Sequence, residues 1–194
     1  INVQKYDIDF ILIWTKSDLI DDEAKEYIEV YKSVGIKSFI ISEKASDINE
    51  YDLLIDFLKG KTTALAGVSG VGKSSLINKM CERKRMEVGS LSKKIERGKH
   101  TTRHSEIFCI DKDTYIYDTP GFSSIELSDM DEEDLESYYR EMAKLSGDCK
   151  FNKCSHITEP NCKIKDALNC GKISKMRYDN YTKIYQELKA KRRH

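Results

Sequence analysis

Gly67-Val68-Ser69-Gly70-Val71-Gly72-Lys73-Ser74 follows directly on Thr62-Thr63-Ala64-Leu65-Ala66, and Ser75-Leu76-Ile77-Asn78 continues beyond it. The stretch answers a definite physical demand. Binding phosphate requires backbone N–H groups that converge on oxygen atoms, and a chain that bends where a Cβ would collide. Gly67, Gly70 and Gly72 permit the bend, and a helix opening near Lys73 turns its positive end toward the anion. Lys73 is placed to bridge the β- and γ-phosphates, and the Ser74 hydroxyl to bind Mg²⁺. Val68, Ser69, Val71 and Ser75 complete the expected nucleotide-binding set. A strand before the loop and a helix after it are the context this chemistry needs, and residues 62–66 and 74–81 read as both.

Two further stretches turn a phosphate loop into a guanine-nucleotide site. Asp118-Thr119-Pro120-Gly121 follows the apolar run Tyr115-Ile116-Tyr117. Asp118 would hold a Mg²⁺-bound water, and the Gly121 N–H would sense the γ-phosphate. Thr15-Lys16-Ser17-Asp18 follows the apolar run 10–14. The Asp18 carboxylate can accept from guanine N1–H and the 2-amino group, neither of which adenine offers in that arrangement. Lys16 would lay its stem over the base, and Thr15 stands where Asn is usual. Ser42-Glu43-Lys44 has the form S-x-K after the next strand, which adds Ser42 and Lys44 to the base pocket. T-K-x-D and S-x-K are weak patterns alone; four motifs in one cyclic order are strong. Here the base-reading element comes first, the phosphate loop second and D-x-x-G last. The cyclic order of a GTPase is kept and its starting point moved, so the expected fold is a circularly permuted G domain.

Gly98-Lys99-His100-Thr101-Thr102-Arg103-His104 lies where the first switch belongs. A threonine there should close on Mg²⁺ and the γ-phosphate, with Thr102 favoured over Thr101. Phe122 occupies the position after D-x-x-G where a Gln orients the attacking water in Ras-like enzymes. Phenylalanine cannot do so. His100, whose side chain titrates near neutral pH, is a candidate to position the water or act as base. The plain alternative for His100 and His104 is a place on the loop surface.

Strands alternate with helices, which predicts an α/β fold with a mostly parallel sheet. The reading puts strands at 10–14, 38–41, 62–66, 107–110 and 115–117, the last two turning at Asp111-Lys112-Asp113. Helices are expected over 21–34 and 51–58, from Ser74, and from Ser128 to about Leu145. A final helix runs from about Ser174 to Lys191, with Tyr178, Tyr181, Ile184, Tyr185 and Leu188 on one stripe, read as core. Residues 1–140 read as the GTPase domain and 141–194 as a small metal-binding helical domain. Residues 1–7 read as a helix end, so the first strand of the G domain is expected to lie upstream.

Net charge is zero over 194 residues, which removes any bulk electrostatic case for nucleic acid. The charge is uneven, with eight Lys/Arg against two Glu between Arg83 and Arg103, an acidic run from Asp129 to Glu136, and the tail Lys189-Ala190-Lys191-Arg192-Arg193-His194. Each run reads by default as a solvated face. No apolar stretch approaches the roughly 18 residues that span a membrane. Of six cysteines, Cys149, Cys154 and Cys162 crowd around His156. Three thiolates and one imidazole suit a closed, structural tetrahedral Zn²⁺ site rather than a disulfide framework. Cys170 is a possible substitute ligand, and Cys81 and Cys109 read as ordinary buried thiols.

G-V-S-G-V-G-K-S-S-L-I-N, G-K-H-T-T, D-T-P-G-F and C-K-F-N-K-C-S-H-I-T-E-P-N-C together resemble the RsgA (YjeQ/YloQ) family of circularly permuted bacterial GTPases over nearly the whole chain. The last segment is the most distinctive. The resemblance implies a late-acting assembly factor of the small ribosomal subunit, whose GTP hydrolysis is slow alone and stimulated by the subunit. It implies Cys149, Cys154, His156 and Cys162 as zinc ligands and aligns His100 with the family's catalytic histidine. Family members carry an N-terminal OB domain, which is expected to be missing from these 194 residues. The expected setting is cytoplasmic, with GTP or GDP, the small subunit and its rRNA as partners and the protein a monomer away from membranes. The basic stretch 83–103 and the C-terminal Lys/Arg tail are candidate rRNA phosphate contacts. Two other classes stay open: a nucleotide-dependent RNA- or protein-binding switch with negligible turnover, kept alive by Phe122, and an ATP-using phosphate-loop protein with an unrelated zinc module, which Asp18 opposes.

Overall fold

A computed structural model describes residues 1–42, 48–88, 106–118 and 130–192. The chain divides into two compact units. One comprises Leu12–Ile28 and Ser38–Ile125, the other Ile1–Ile11, Glu29–Lys37 and Glu126–His194.

The first unit carries two sheets. Strand β1 (Leu12–Trp14) pairs in parallel with β2 (Ser38–Ile40). Strand β3 (Thr62–Leu65) pairs in parallel with β5 (Thr114–Asp118), which pairs antiparallel with β4 (Glu106–Asp111). Two of the three pairings are thus parallel, as alternating strands and helices require. Thr114 is fully buried in the β4–β5 turn, where its hydroxyl accepts from the Gly60 N–H at 3.0 Å and donates to the Lys112 carbonyl at 3.3 Å. Helices α3 (Ile48–Leu58) and α4 (Lys73–Val88) bury Leu54, Ile55 and Leu58, and Leu76, Ile77 and Met80. These spacings of three and four place each set on one helical face.

Helix α2 (Asp22–Ser33) begins at Asp21, whose carboxylate accepts the Ala24 N–H at 2.8 Å, an N-cap of the usual kind. Its C-terminus is closed by Gly35 in the left-handed region, φ +77°, with Gly35 and Ile36 N–H groups bonded back to Lys32 and Tyr31.

The second unit also holds the short helix α1 (Asn2–Lys5), a 3₁₀ turn Leu135–Tyr138, α5 (Arg140–Ala143), α6 (Lys163–Asn169) and α7 (Lys175–Lys191). Its core joins Leu135, Tyr139, Met142, Ile164, Ala167, Ile173, Tyr181 and Leu188, with Tyr178, Ile184 and Tyr185 packed against them. The tyrosine stripe is therefore core, as its spacing indicated. Tyr139 and Tyr181 meet edge to face at 5.4 Å.

Three readings need correction. The helix expected to run to about Leu145 is broken: Tyr139 takes an extended conformation between the 3₁₀ turn and α5, and so turns its ring into the core. The segment after Gly147, read as loop, contains α6, whose seven residues offer only Ile164 and Ala167 as a buried pair. Cys109 is exposed and Cys81 half-buried, so neither is a core thiol.

Candidate functional site

The permuted motifs meet in space. β1 delivers Thr15 and Lys16 at its end, and β3 delivers the phosphate loop at its own. The Thr15 hydroxyl donates to the Val71 carbonyl at 2.7 Å, and the Lys16 ammonium to the Gly70 carbonyl at 3.0 Å. Lys16 itself sits in the left-handed region at φ 57°, which turns the chain sharply before the 3₁₀ turn Ser17–Leu19. Asp18 is exposed in that turn. The Ser42 hydroxyl approaches the Asp18 carboxylate at 3.5 Å, a long contact that gathers two base-pocket candidates.

In the phosphate loop Gly70 and Gly72 have φ of +77° and +100°, a conformation that side chains resist. A Cβ on Gly67 would stand 3.2 Å from Val71 Cγ1, so that position is tight as well. The Lys73 ammonium, at the first residue of α4, donates back to the Gly67 and Val68 carbonyls at 2.8 and 3.1 Å. It thereby lies across the mouth of the loop. Ser69, Ser74 and Ser75 are exposed around it. Asp118 pairs in register with Leu65, two residues before Gly67, which brings the D-x-x-G aspartate beside the strand that carries the loop. Ser74 and Asp118 are oxygen donors of the kind Mg²⁺ takes. Lys44, His100, Thr102, Gly121 and Phe122 lie outside the described residues.

The second cluster is compact. The ligand atoms of Cys149, Cys154, His156 and Cys162 lie within 4.8 Å of one another. His156 Nδ1 is 3.6 Å from Cys149 Sγ and 3.3 Å from Cys162 Sγ, and those sulfurs are 3.9 Å apart. A tetrahedral ion with zinc's bond lengths sets sulfurs about 3.8 Å apart and sulfur and nitrogen about 3.6 Å apart. The donor set fits such an ion. Burial pushes the Cys154 thiol up to about 12, with Cys162 and Cys149 adding to the rise. Burial raises Cys162 as well. Thiolates in this place therefore need a cation to balance them. Cys170 is exposed and outside the cluster.

Supporting groups around the cluster went unread in the sequence. His156 Nε2 meets the Glu136 carboxylate. Tyr178 and Tyr181 hydroxyls donate to the His156 and Ser155 carbonyls at 2.7 and 3.1 Å. Glu159 accepts from the Ser155 N–H and hydroxyl at 3.0 and 2.8 Å. Burial opposes its charge, but these and further backbone hydrogen bonds win and bring its carboxyl down to about 2. The acidic run is consequently no plain solvated face, since Glu132, Glu133 and Glu136 bond Arg192, Lys153 and His156. Arg83 is likewise engaged, bonded to Asp52 at 2.6 Å and stacked over Tyr51.

A phosphate loop tied to a base-reading loop that precedes it in sequence defines a circularly permuted GTPase fold, and comparison with known proteins agrees. The structure superposes on YloQ, described as a circularly permuted GTPase, with a TM-score of 0.74 and 33% identity over 98% of this chain and 60% of that one. It superposes on YjeQ from Thermotoga maritima with a TM-score of 0.74 and 31% identity, over 96% of this chain and 62% of the other. Residues 1–128 match the family described as RsgA GTPase. The chain belongs to the RsgA GTPase family. It is 45% identical over 184 residues to the small ribosomal subunit biogenesis GTPase RsgA of Agathobacter rectalis, 94% of this chain and 60% of that protein. Its identity to the protein of the same name from Ruminiclostridium cellulolyticum is 43%, over 97% of this chain and 61% of the relative. The chain thus spans about three-fifths of the length of the curated relatives it matches.

Proposed function

We propose that the protein hydrolyses GTP to GDP and phosphate, and that this cycle gates its part in late maturation of the small ribosomal subunit. The observation that carries the reading is the pair of bonds from Thr15 and Lys16 to Val71 and Gly70, which supports a single site for guanine selection and phosphate binding. Gly67 to Gly72 and Ser75 hold the phosphates through backbone N–H groups, and Lys73 swings from the loop carbonyls to the β- and γ-oxygens. Asp18 and Lys16 read the base, with Ser42 and Lys44 behind them. Ser74, Thr102 and Asp118 would hold Mg²⁺, which supplies charge neutralisation at the phosphates. The Gly121 N–H reports the γ-phosphate. His100 positions the water for in-line attack, the role left vacant by Phe122. Cys149, Cys154, His156 and Cys162 hold one structural Zn²⁺.

In functional terms residues 1–140 form the GTPase domain and 141–194 the zinc-binding helical domain. The setting is the cytoplasm, the protein a monomer, and its partners the small subunit and its rRNA; among the described residues no helix is long and apolar enough to cross a membrane. GTP hydrolysis by the full-length protein, with and without purified small subunits, tests the reading, with ATP and large subunits as controls. Stimulation by small subunits, specific for GTP, is expected. GTP binding without turnover under any of these conditions would replace the enzyme with a nucleotide-dependent binding switch.

A further inference from the structure

We propose that Glu136 is the positioning residue of the metal centre, fixing the His156 tautomer and tying the ligand loop to the 3₁₀ turn Leu135–Tyr138. The inference rests on the zinc reading above and adds a residue that lies outside the ligand segment.

His156 is 1% exposed, and both of its ring nitrogens are in use. Nδ1 faces the sulfurs of Cys149 and Cys162, while Nε2 meets the Glu136 carboxylate, twenty residues upstream. An ionised carboxylate only accepts, so the ring proton must sit on Nε2. That leaves the Nδ1 lone pair directed at the thiolate cluster, where a metal ligand requires it. The backbone of His156 is held with equal care. It sits at φ 61°, an uncommon conformation for a side-chain-bearing residue, and its carbonyl accepts from Tyr178. Glu136 opposes rotation of the ring, and Tyr178 holds the backbone that carries it.

The position of Glu136 gives this contact a wider reach. It lies next to Leu135, which is fully buried in the core shared with Cys162, Ile164 and Tyr181. The metal ligand is thus anchored to an element formed by a different part of the chain, so metal binding and the packing of that turn are coupled.

Zinc release from the full-length, zinc-loaded protein into an excess of chelator tests the proposal, together with nitrogen NMR shifts of the His156 ring. Glu136→Ala should weaken zinc binding by roughly 10- to 100-fold, mainly through faster release, while a saturating zinc supply still gives one ion per chain. Its ring should lose the single Nε2-protonated signature. Glu136→Gln keeps an acceptor of the same shape without the charge and should fall between. Glu133→Ala removes a neighbouring ion pair, that with Lys153, and should release zinc at the wild-type rate. A Glu136→Ala protein with wild-type release and an unchanged tautomer would overturn the proposal while leaving zinc in place. A wild-type protein that takes up no zinc would overturn both readings.

Discussion

Thr15→Val isolates the hydroxyl that joins the base-reading loop to the phosphate loop. Valine keeps the shape and β-branching of threonine and removes only the donor. The bond lost is short, 2.7 Å, and half-buried, and its acceptor is the carbonyl of Val71 in the loop that must hold its geometry for phosphate. A neutral hydrogen bond of this kind contributes about 0.5–1.5 kcal/mol net. If nucleotide binds only the joined arrangement, that energy appears in the dissociation constant as a weakening of about 2- to 12-fold. The neighbouring bond from Lys16 to Gly70 is exposed and cannot compensate for much. Since the contact touches neither the γ-phosphate nor the base, GDP and GTP should weaken by the same factor, with Thr15→Ser close to wild type. Titration with a fluorescent guanine nucleotide reads both. Wild-type affinity in Thr15→Val would refute the coupling, and so would a loss confined to GTP.

Asp18→Asn should exchange guanine preference for xanthine preference, because an amide presents a donor where the carboxylate accepted; competition binding with GDP and XDP measures it. Glu141→Ala should cost about 3–5 kcal/mol in urea unfolding, because Arg177 is 11% exposed, is doubly bonded to Glu141 at 2.7 and 3.1 Å, and is left with an uncompensated charge over Tyr139. The double variant Glu141→Met, Arg177→Met should recover most of that loss. Glu159 has its folded pKa depressed from 4.5 to about 2, so its contribution is complete above about 4.5 and fades as pH falls toward 2. Glu159→Gln should therefore be less stable than wild type at pH 7 and converge with it through that window, read by unfolding at a series of pH values. If the proposed zinc is bound, its chelation should abolish the near-ultraviolet dichroism of the tyrosine core around Tyr139 and Tyr181, since metal-binding energy would then be folding energy for that unit.

What the sequence discloses and what it hides divide along a physical line. Gly70 and Gly72 turn through positive φ, and Thr62 to Leu65 form the strand that presents the loop, so local chemistry alone announces a candidate phosphate loop. The cysteine spacing worked in the same way, because four donors within fourteen residues have little else to do. Long-range partnership left no such trace. Nothing near Glu136 in the chain distinguishes it from Glu133, and only folding sends one carboxylate to His156 and the other to Lys153. The break at Tyr139 is similar: Leu135, Tyr139 and Met142 have the spacing of one helical face, and nothing in that spacing announces the extended Tyr139 between the 3₁₀ turn and α5. Arg83 shows the converse, a basic residue within a basic run around which the fold sets Asp52 and Tyr51, neither of them foreseen from the run. Charge runs are therefore the weakest part of a reading made from sequence. Their members act singly: in the acidic run Glu132, Glu133 and Glu136 each meet a partner that only the fold selects, while Asp131 and Asp134 are exposed.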